Sequence, residues 1–233
     1  KKSQKFIISE LGFGTGLSFL LTLKLWKKTK KSNAKLIYIS FESAPLTKIE
    51  LNQVYKKLRG VKLLSDQLIK KLPVMYQSTH RIFFESENVE LILIYDDFNS
   101  LENLAFKADA WFLDGFAPKK NTTAWNSKLF EQIYLSTKFK GTFSTFTSAG
   151  HVRRGLSNSG FSVSKVVGFG NKKESLIGIK CSLSSKNNKV PSSKNYIGPV
   201  AIIGSGISGA SLAYSLRKRN IECFIVDKSS RHA

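Results

Sequence analysis

Short apolar runs alternate with amphipathic stretches along this chain, and the alternation predicts strands and helices in βαβ order. Phe6–Leu11, Leu36–Phe41, Val89–Tyr95, Ala110–Leu113 and Gly141–Phe146 read as strands rich in Ile, Leu, Val and Phe. Leu17–Lys27, Thr47–Leu58, Ala124–Thr137 and Gly150–Ser157 carry the spacing of helices that cover a sheet. Two more strands, Phe161–Phe169 and Ser175–Cys181, are separated only by Gly170-Asn171-Lys172-Lys173. A turn that short predicts an antiparallel hairpin at one sheet edge. The reading is an α/β fold: five parallel strands with helices on both faces, closed by the hairpin.

The pattern breaks at Ser182–Gly198, where Ser, Asn and Lys replace apolar residues, as in a linker. It then restarts with a strand at Pro199–Ile203, a helix at Gly206–Arg219 and a strand at Cys223–Val226. One βαβ unit of about 35 residues buries too little surface to fold by itself, so it reads as the start of a further domain. Lys1-Lys2 leads almost directly into a strand and Ala233 closely follows one, so both ends read as cut.

Hydrophobic residues make up 42% of the 233, enough for a packed core. No apolar run approaches the roughly 18 residues of a spanning helix, and no signal-peptide pattern opens the chain. The two cysteines, Cys181 and Cys223, form neither a disulfide framework nor a zinc set, so a reducing cytoplasm without a metal is expected. Against 16 acidic residues stand 37 Lys and Arg, a net charge of +21 that attracts polyanions, nucleic acid first.

Two glycine loops carry the candidate chemistry. Glu10-Leu11-Gly12-Phe13-Gly14-Thr15-Gly16 ends the first strand and opens a helix. An acid two positions before the first glycine would repel a pyrophosphate and suits a cationic ligand, which favours S-adenosylmethionine over a dinucleotide. Glu42 ends the second strand, the place of a carboxylate that accepts ribose hydroxyls. Asp96-Asp97 follows the next predicted strand, and Asp97 is placed against an adenine amino group. The second loop, Gly204-Ser205-Gly206-Ile207-Ser208-Gly209, lies between strand and helix, with Asp227 at the end of the next strand. That context matches a dinucleotide fingerprint for FAD or NAD, with Gly204, Gly206, Gly209 and Asp227 as its residues.

Asp114-Gly115-Phe116-Ala117-Pro118 follows the fourth predicted strand, at the edge where ligands of open α/β sheets bind. Methyl transfer to an amine needs the neutral amine, and Asp114 is positioned to take or relay its proton. Phe116 and Trp125 are candidates to wall the methyl site or stack on a base, with core packing the competing role of Trp125.

The runs ELGFGTGLSFL (10–20), AWFLDGFAPKKNTTAW (110–125), TFTSAGHVRRGLSNSGF (145–161) and GFGNKKE (168–174) resemble the MnmC family of bifunctional tRNA 5-methylaminomethyl-2-thiouridine biosynthesis proteins. The resemblance is colinear over residues 6–180. It implies a Rossmann-like S-adenosylmethionine-dependent methyltransferase sheet at 1–181, lacking the family's N-terminal segment, then a linker at 182–198. Residues 199–233 would be the first βαβ unit of an FAD-dependent oxidoreductase. The implied reaction methylates the amine of 5-aminomethyl-(2-thio)uridine at the tRNA wobble position. The whole family protein also removes the carboxymethyl group from the 5-carboxymethylaminomethyl precursor with FAD. Lys119, Lys120, Arg153, Arg154 and the Lys172-Lys173 pair are then candidates to hold an anticodon stem-loop by its phosphates. A monomer in the cytoplasm is expected. A nicotinamide-dependent dehydrogenase and a non-catalytic RNA-binding fragment remain as alternatives.

Overall fold

The computed structural model describes residues 5–31, 33–58, 60–115, 125–168, 170, 172–181, 198–219 and 221–228. It divides into two compact units, Lys1–Asn188 and Lys189–Ala233.

The first unit is one eight-stranded sheet. In chain order its elements are β1 (Lys5–Leu11), α1 (Leu17–Thr29), β2 (Lys35–Phe41), α2 (Lys48–Lys57), α3 (Lys62–Lys71), β3 (Thr79–Phe84) and β4 (Val89–Ile94). After β5 (Ala108–Leu113) come α4 (Ser127–Leu135), β6 (Thr137–Thr145), α5 (Gly150–Asn158), β7 (Phe161–Val167) and β8 (Glu174–Lys180). The strand order is β3-β4-β2-β1-β5-β6-β8-β7. Strands β4, β2, β1, β5 and β6 run parallel, as the alternating pattern predicts, and the β7–β8 hairpin forms one edge, antiparallel to β6 through β8.

Two elements between Leu58 and Val89 are additional to the predicted set. Helix α3 carries Leu64 and Leu68 on its buried side, a spacing of four that the sequence does display. Strand β3 is an antiparallel edge strand on β4, and its six residues THRIFF hide their alternation behind His80 and Arg81. Predicted ends move by a few residues elsewhere. Thr47 caps α2 instead of joining it: its hydroxyl accepts from the Glu50 amide while the Glu50 carboxylate accepts from the Thr47 amide at 2.8 Å.

Each face of the sheet has its own core. On one face Ile8, Leu36, Tyr38, Leu91 and Leu93 pack beneath Phe19, Leu20 and Leu23 of α1 and Leu51, Leu64 and Leu68 of α2 and α3. On the other, Ile39, Phe41, Ile92, Trp111, Leu113 and Phe143 pack against Leu129, Phe130 and Ile133 of α4 and Val152 and Leu156 of α5. Strand β4 is covered on both sides, so all six of its residues are buried and all but Glu90 are apolar. Charged groups are buried in the sheet as well, Glu90 and Lys180 among them. Glu90 is held between Lys35 Nζ at 2.9 Å and Arg81 Nη1 at 2.7 Å. Burial alone would raise its pKa, but the two cations more than reverse that and leave it lowered. At the amino edge, Lys180 Nζ donates to the carbonyls of Tyr134 (2.7 Å) and Thr137 (3.1 Å), closing the C-terminus of α4.

The second unit pairs β9 (Val200–Ile203) in parallel with β10 (Cys223–Val226), joined by α6 (Ile207–Arg217). Among its described residues only Ile202 is a buried hydrophobe, while Ile203 and Ile207 are almost fully exposed. Among the described residues of the chain, no helix is long and apolar enough to cross a membrane.

Candidate functional site

Strand order reverses about β1. From it the chain moves outward to β2 and β4, then returns to the other side for β5 and β6. The switch point of the sheet therefore falls between β1 and β5, where open α/β sheets form a crevice at the carboxyl edge. Glu10 and Asp114 stand at the carboxyl ends of the two strands that flank it.

The first glycine loop is bent back onto β2. The amides of Gly12 and Phe13 both donate to the Phe41 carbonyl, at 2.9 and 3.1 Å. Gly16 has φ +69, and a Cβ there would lie 2.6 Å from the buried Phe13 ring, so this glycine is needed for packing. Gly14 also has positive φ, +51, but a Cβ there would meet nothing within 4 Å. Its backbone thus faces open space, as a loop that lies against a ligand must. The Gly14 amide donates to Glu42 Oε2 at 2.7 Å, and Glu42 Oε1 accepts from the Ala44 amide at 2.8 Å. Glu42 is therefore a clamp that ties the loop to the end of β2, a role its sequence position does not announce. A carboxylate offers about four lone-pair directions, and these two amides take only two of them. The Tyr55 hydroxyl, from α2, holds the Thr15 carbonyl of the same loop.

Glu10 sits deeper than the sequence implies. It is 1% exposed, enclosed beneath the start of α1, and accepts from Ser40 Oγ at 2.8 Å. The carboxyl thus does not look openly into the crevice in this conformation. Burial pushes its pKa up to about 8; the neighbouring hydroxyls of Ser40, Tyr38 and Ser18 oppose this, and the charge of Asp114 adds to it. The buried Tyr38 hydroxyl lies beside it without ordinary hydrogen-bond geometry to any partner, and burial together with the nearby acid raises its pKa further. Asp114 remains accessible to solvent, and partial desolvation of its carboxyl raises its pKa from the usual aspartate value.

Beyond Glu42 lies a cleft of about 360 Å³ lined by Ser43, Pro45, Met75, Tyr76, Gln77, Tyr95, Asp96 and Asp97. Asp97 does reach this cleft, but both its carboxylate oxygens bond Asn99, capping the 3-10 turn Phe98–Asn103. Asp96 Oδ1 accepts from Gln77 Nε2 at 2.9 Å. The segment before β3 thus supplies one wall of the cleft, and an element the sequence reading lacks supplies that segment.

Trp125 shows the core packing named as its competing role. It lies before α4, is 4% exposed and packs 6.2 Å from the Phe130 ring in the core, so its face is not free to stack on a substrate base. Phe116, Lys119 and Lys120 lie outside the described residues, as does the expected linker at 182–198 apart from Gly198. Arg153 and Arg154 are exposed on α5, which starts just beyond the carboxyl end of β6. In the second unit, Asp227 Oδ2 accepts from both the amide and the hydroxyl of Ser205, at 2.5 and 2.7 Å. The acid after the second strand there ties down its glycine loop, as Glu42 does in the first unit. A Cβ on Gly209 would sit 2.0 Å from the Gly204 carbonyl oxygen, so helix and loop approach closely. Among the described residues, no three His, Cys, Asp or Glu side chains converge as metal ligands.

A family model described as S-adenosyl-L-methionine-dependent methyltransferase matches residues 59–181. A second, described as an NAD(P)-binding Rossmann-like domain, matches residues 202–232. Relatives called "tRNA 5-methylaminomethyl-2-thiouridine biosynthesis bifunctional protein MnmC" are similar along nearly the whole chain. The one from Marinobacter nauticus is 36% identical over 98% of this chain and 36% of its own length. The one from a Marinomonas species is 38% identical over 93% of this chain and 34% of its own. This chain thus spans about a third of the length of these relatives. The crystal structure titled MNMC2 from Aquifex aeolicus superposes with a TM-score of 0.58 at 25% identity, covering 77% of this chain and 55% of that one.

Proposed function

Because the chain belongs to the S-adenosyl-L-methionine-dependent methyltransferase family, we propose that its first unit methylates the amine of 5-aminomethyl-(2-thio)uridine in tRNA. The observation that carries this reading is the convergence at the crevice: an open Gly14 backbone, the Glu42 clamp with unused lone pairs, and Asp114 across from them. The relatives' name supports the acceptor, and a net charge of +21 suits a polyanion.

When bound, S-adenosylmethionine supplies an electrophilic methyl group on a sulfonium. The residues of this chain do the rest. Gly12, Gly14 and Gly16 let the backbone lie against the donor. Glu42 accepts ribose hydroxyls, and Asp97 is assigned to the adenine end of the cleft. Glu10, kept protonated near neutral pH by burial, would ionise when the cationic donor binds. Asp114 orients the acceptor amine and takes the proton it must lose, a role helped by its raised pKa. The neutral amine would take the donor's methyl group, leaving a neutral thioether, and Asp114 would take the proton that the methylated amine sheds.

On this reading residues 1–181 form the methyltransferase domain, 182–198 a linker, and 199–233 the start of an FAD-dependent oxidoreductase domain. Gly204, Gly206 and Gly209 face the pyrophosphate and Asp227 the ribose, and the dinucleotide-type match at 202–232 supports such a ligand. Arg153, Arg154, Lys119 and Lys120 hold the anticodon stem-loop, and a tRNA acceptor places the reaction in the cytoplasm.

The test is methyl transfer from labelled S-adenosylmethionine to tRNA carrying aminomethyluridine. Incorporation by the native chain, lost in Asp114→Asn with donor binding retained, is the expected outcome. Tight NAD binding without donor binding would overturn the reading in favour of a dehydrogenase.

A further inference from the structure

The ligands assigned to the donor all lie on one side of Asp114. The glycine loop leaves β1, Glu42 ends β2, and Asp96 and Asp97 follow β4, while Asp114 follows β5. An acceptor reaching a methyl group held there must come from the other side, over β6 and the β7–β8 hairpin. The register pairs Phe112 with Ser144, and Asp114 and Phe146 each follow two residues on, just past the carboxyl ends of the adjacent strands β5 and β6. Phe146 is half-buried at the carboxyl end of β6, and Lys172 Nζ lies over its ring, 5.5 Å from the centroid. Lys172 comes from the hairpin turn, is exposed, and has no carboxylate partner among the described residues. Lys165 on β7 of the same hairpin, by contrast, is paired with Glu174 at 2.8 Å.

We propose that Phe146 and Lys172 form the platform for the acceptor nucleotide, the ring stacking on an unpaired base and the ammonium contacting its phosphodiester. This rests on the reading that Asp114 marks the methyl-transfer point and that the acceptor is RNA. The chemistry of the pair selects the ligand. An aromatic face takes any flat base, and a cation without a protein counter-charge takes a phosphate. Lys172 already lies over the ring, so a base that stacks there displaces the ammonium toward the backbone of the same nucleotide.

Steady-state methyl transfer to aminomethyluridine tRNA tests this with Phe146→Ala, Phe146→Tyr, Phe146→Trp and Lys172→Gln. Phe146→Ala should raise KM for tRNA roughly 10- to 100-fold, the usual loss for one stacked base. Calorimetry should show donor affinity unchanged, and Tyr or Trp should restore KM. Lys172→Gln should lower the slope of log affinity against log salt by about 0.7, one phosphate contact to a single strand. Unchanged KM in Phe146→Ala, or failure of Tyr and Trp to restore it, overturns the platform, as does a matching loss of donor affinity. Stem-loop binding by native and variant chains gives a second readout that does not need turnover. If the native chain binds the stem-loop without methylating it, the methyltransferase reading fails, and weaker binding by Phe146→Ala still supports the platform. If the native chain does not bind the stem-loop, the platform falls with it.

Discussion

Glu10→Gln is the substitution that most sharply tests the electrostatics of the crevice. The native carboxyl has its pKa raised from 4.5 to about 8 by burial. The folded protein therefore keeps a proton that the unfolded chain has already released between those values. Folded and unfolded proton binding differ in that window, so stability must fall as pH rises through it. Each unit of pH is worth about 1.4 kcal/mol at most, and Glu10 contributes roughly 2–3 kcal/mol between pH 5 and pH 7. Glutamine has the same shape and no charge to lose, and its amide would sit beside the same Ser40 and Tyr38 hydroxyls. Urea unfolding read by Trp26, Trp111 and Trp125, all in the first unit, measures the difference. Native protein should lose that amount relative to Glu10→Gln on going from pH 5 to pH 7, since other titrating groups act on both proteins alike. Saturating S-adenosylmethionine should flatten the native curve, because a nearby cation keeps Glu10 ionised, and it should bind the variant more weakly. Parallel pH curves for the two proteins would refute the account of Glu10.

Other consequences follow from the same contacts. Glu42→Ala leaves the Gly14 amide without its acceptor, and calorimetry should show donor affinity reduced roughly 10- to 100-fold, an unmade charge-assisted bond of about 1.5–3 kcal/mol. Gly14→Ala should destabilise the fold by only about 1 kcal/mol yet abolish donor binding, whereas Gly16→Ala should mainly lower stability, since its Cβ meets the Phe13 ring. Lys180→Met leaves the buried carbonyls of Tyr134 and Thr137 without a donor and should lower unfolding stability by about 1–3 kcal/mol. Glu90→Gln should remove acid sensitivity. The folded pKa of Glu90 is lowered, so its contribution is present above the ordinary carboxylate pKa and lost as pH falls through the folded value.

The parallel strands and the two glycine loops were legible in sequence because their signals are local. An apolar run of five or six residues ended by Gly or an acid says strand and loop without reference to anything distant. Helix α3 is absent from the sequence-based expectation although Leu64 and Leu68 display its spacing, because polar Ser65, Asp66 and Gln67 lie between them and lysines flank them. Strand β3 was not legible. Its short, mixed run THRIFF becomes a strand only because β4 offers an unpaired edge. The candidate site divides the same way. Glu10, Glu42, Asp97 and Asp114 could be picked out as acids at strand ends, and a tryptophan near Asp114 could not be told from a core residue. In the fold, Trp125 packs on Phe130.

Sequence alone determined which backbone segments turn, where carboxylates stand at strand ends and how strongly the chain attracts polyanions, since each depends on neighbours along the chain. Only the tertiary structure decided that Glu42 holds the glycine loop, that Glu10 is sealed under α1, and that Phe146 and Lys172 share one edge with Asp114. Those relations join residues tens of positions apart, and they arise from strand order and register, which no local pattern encodes.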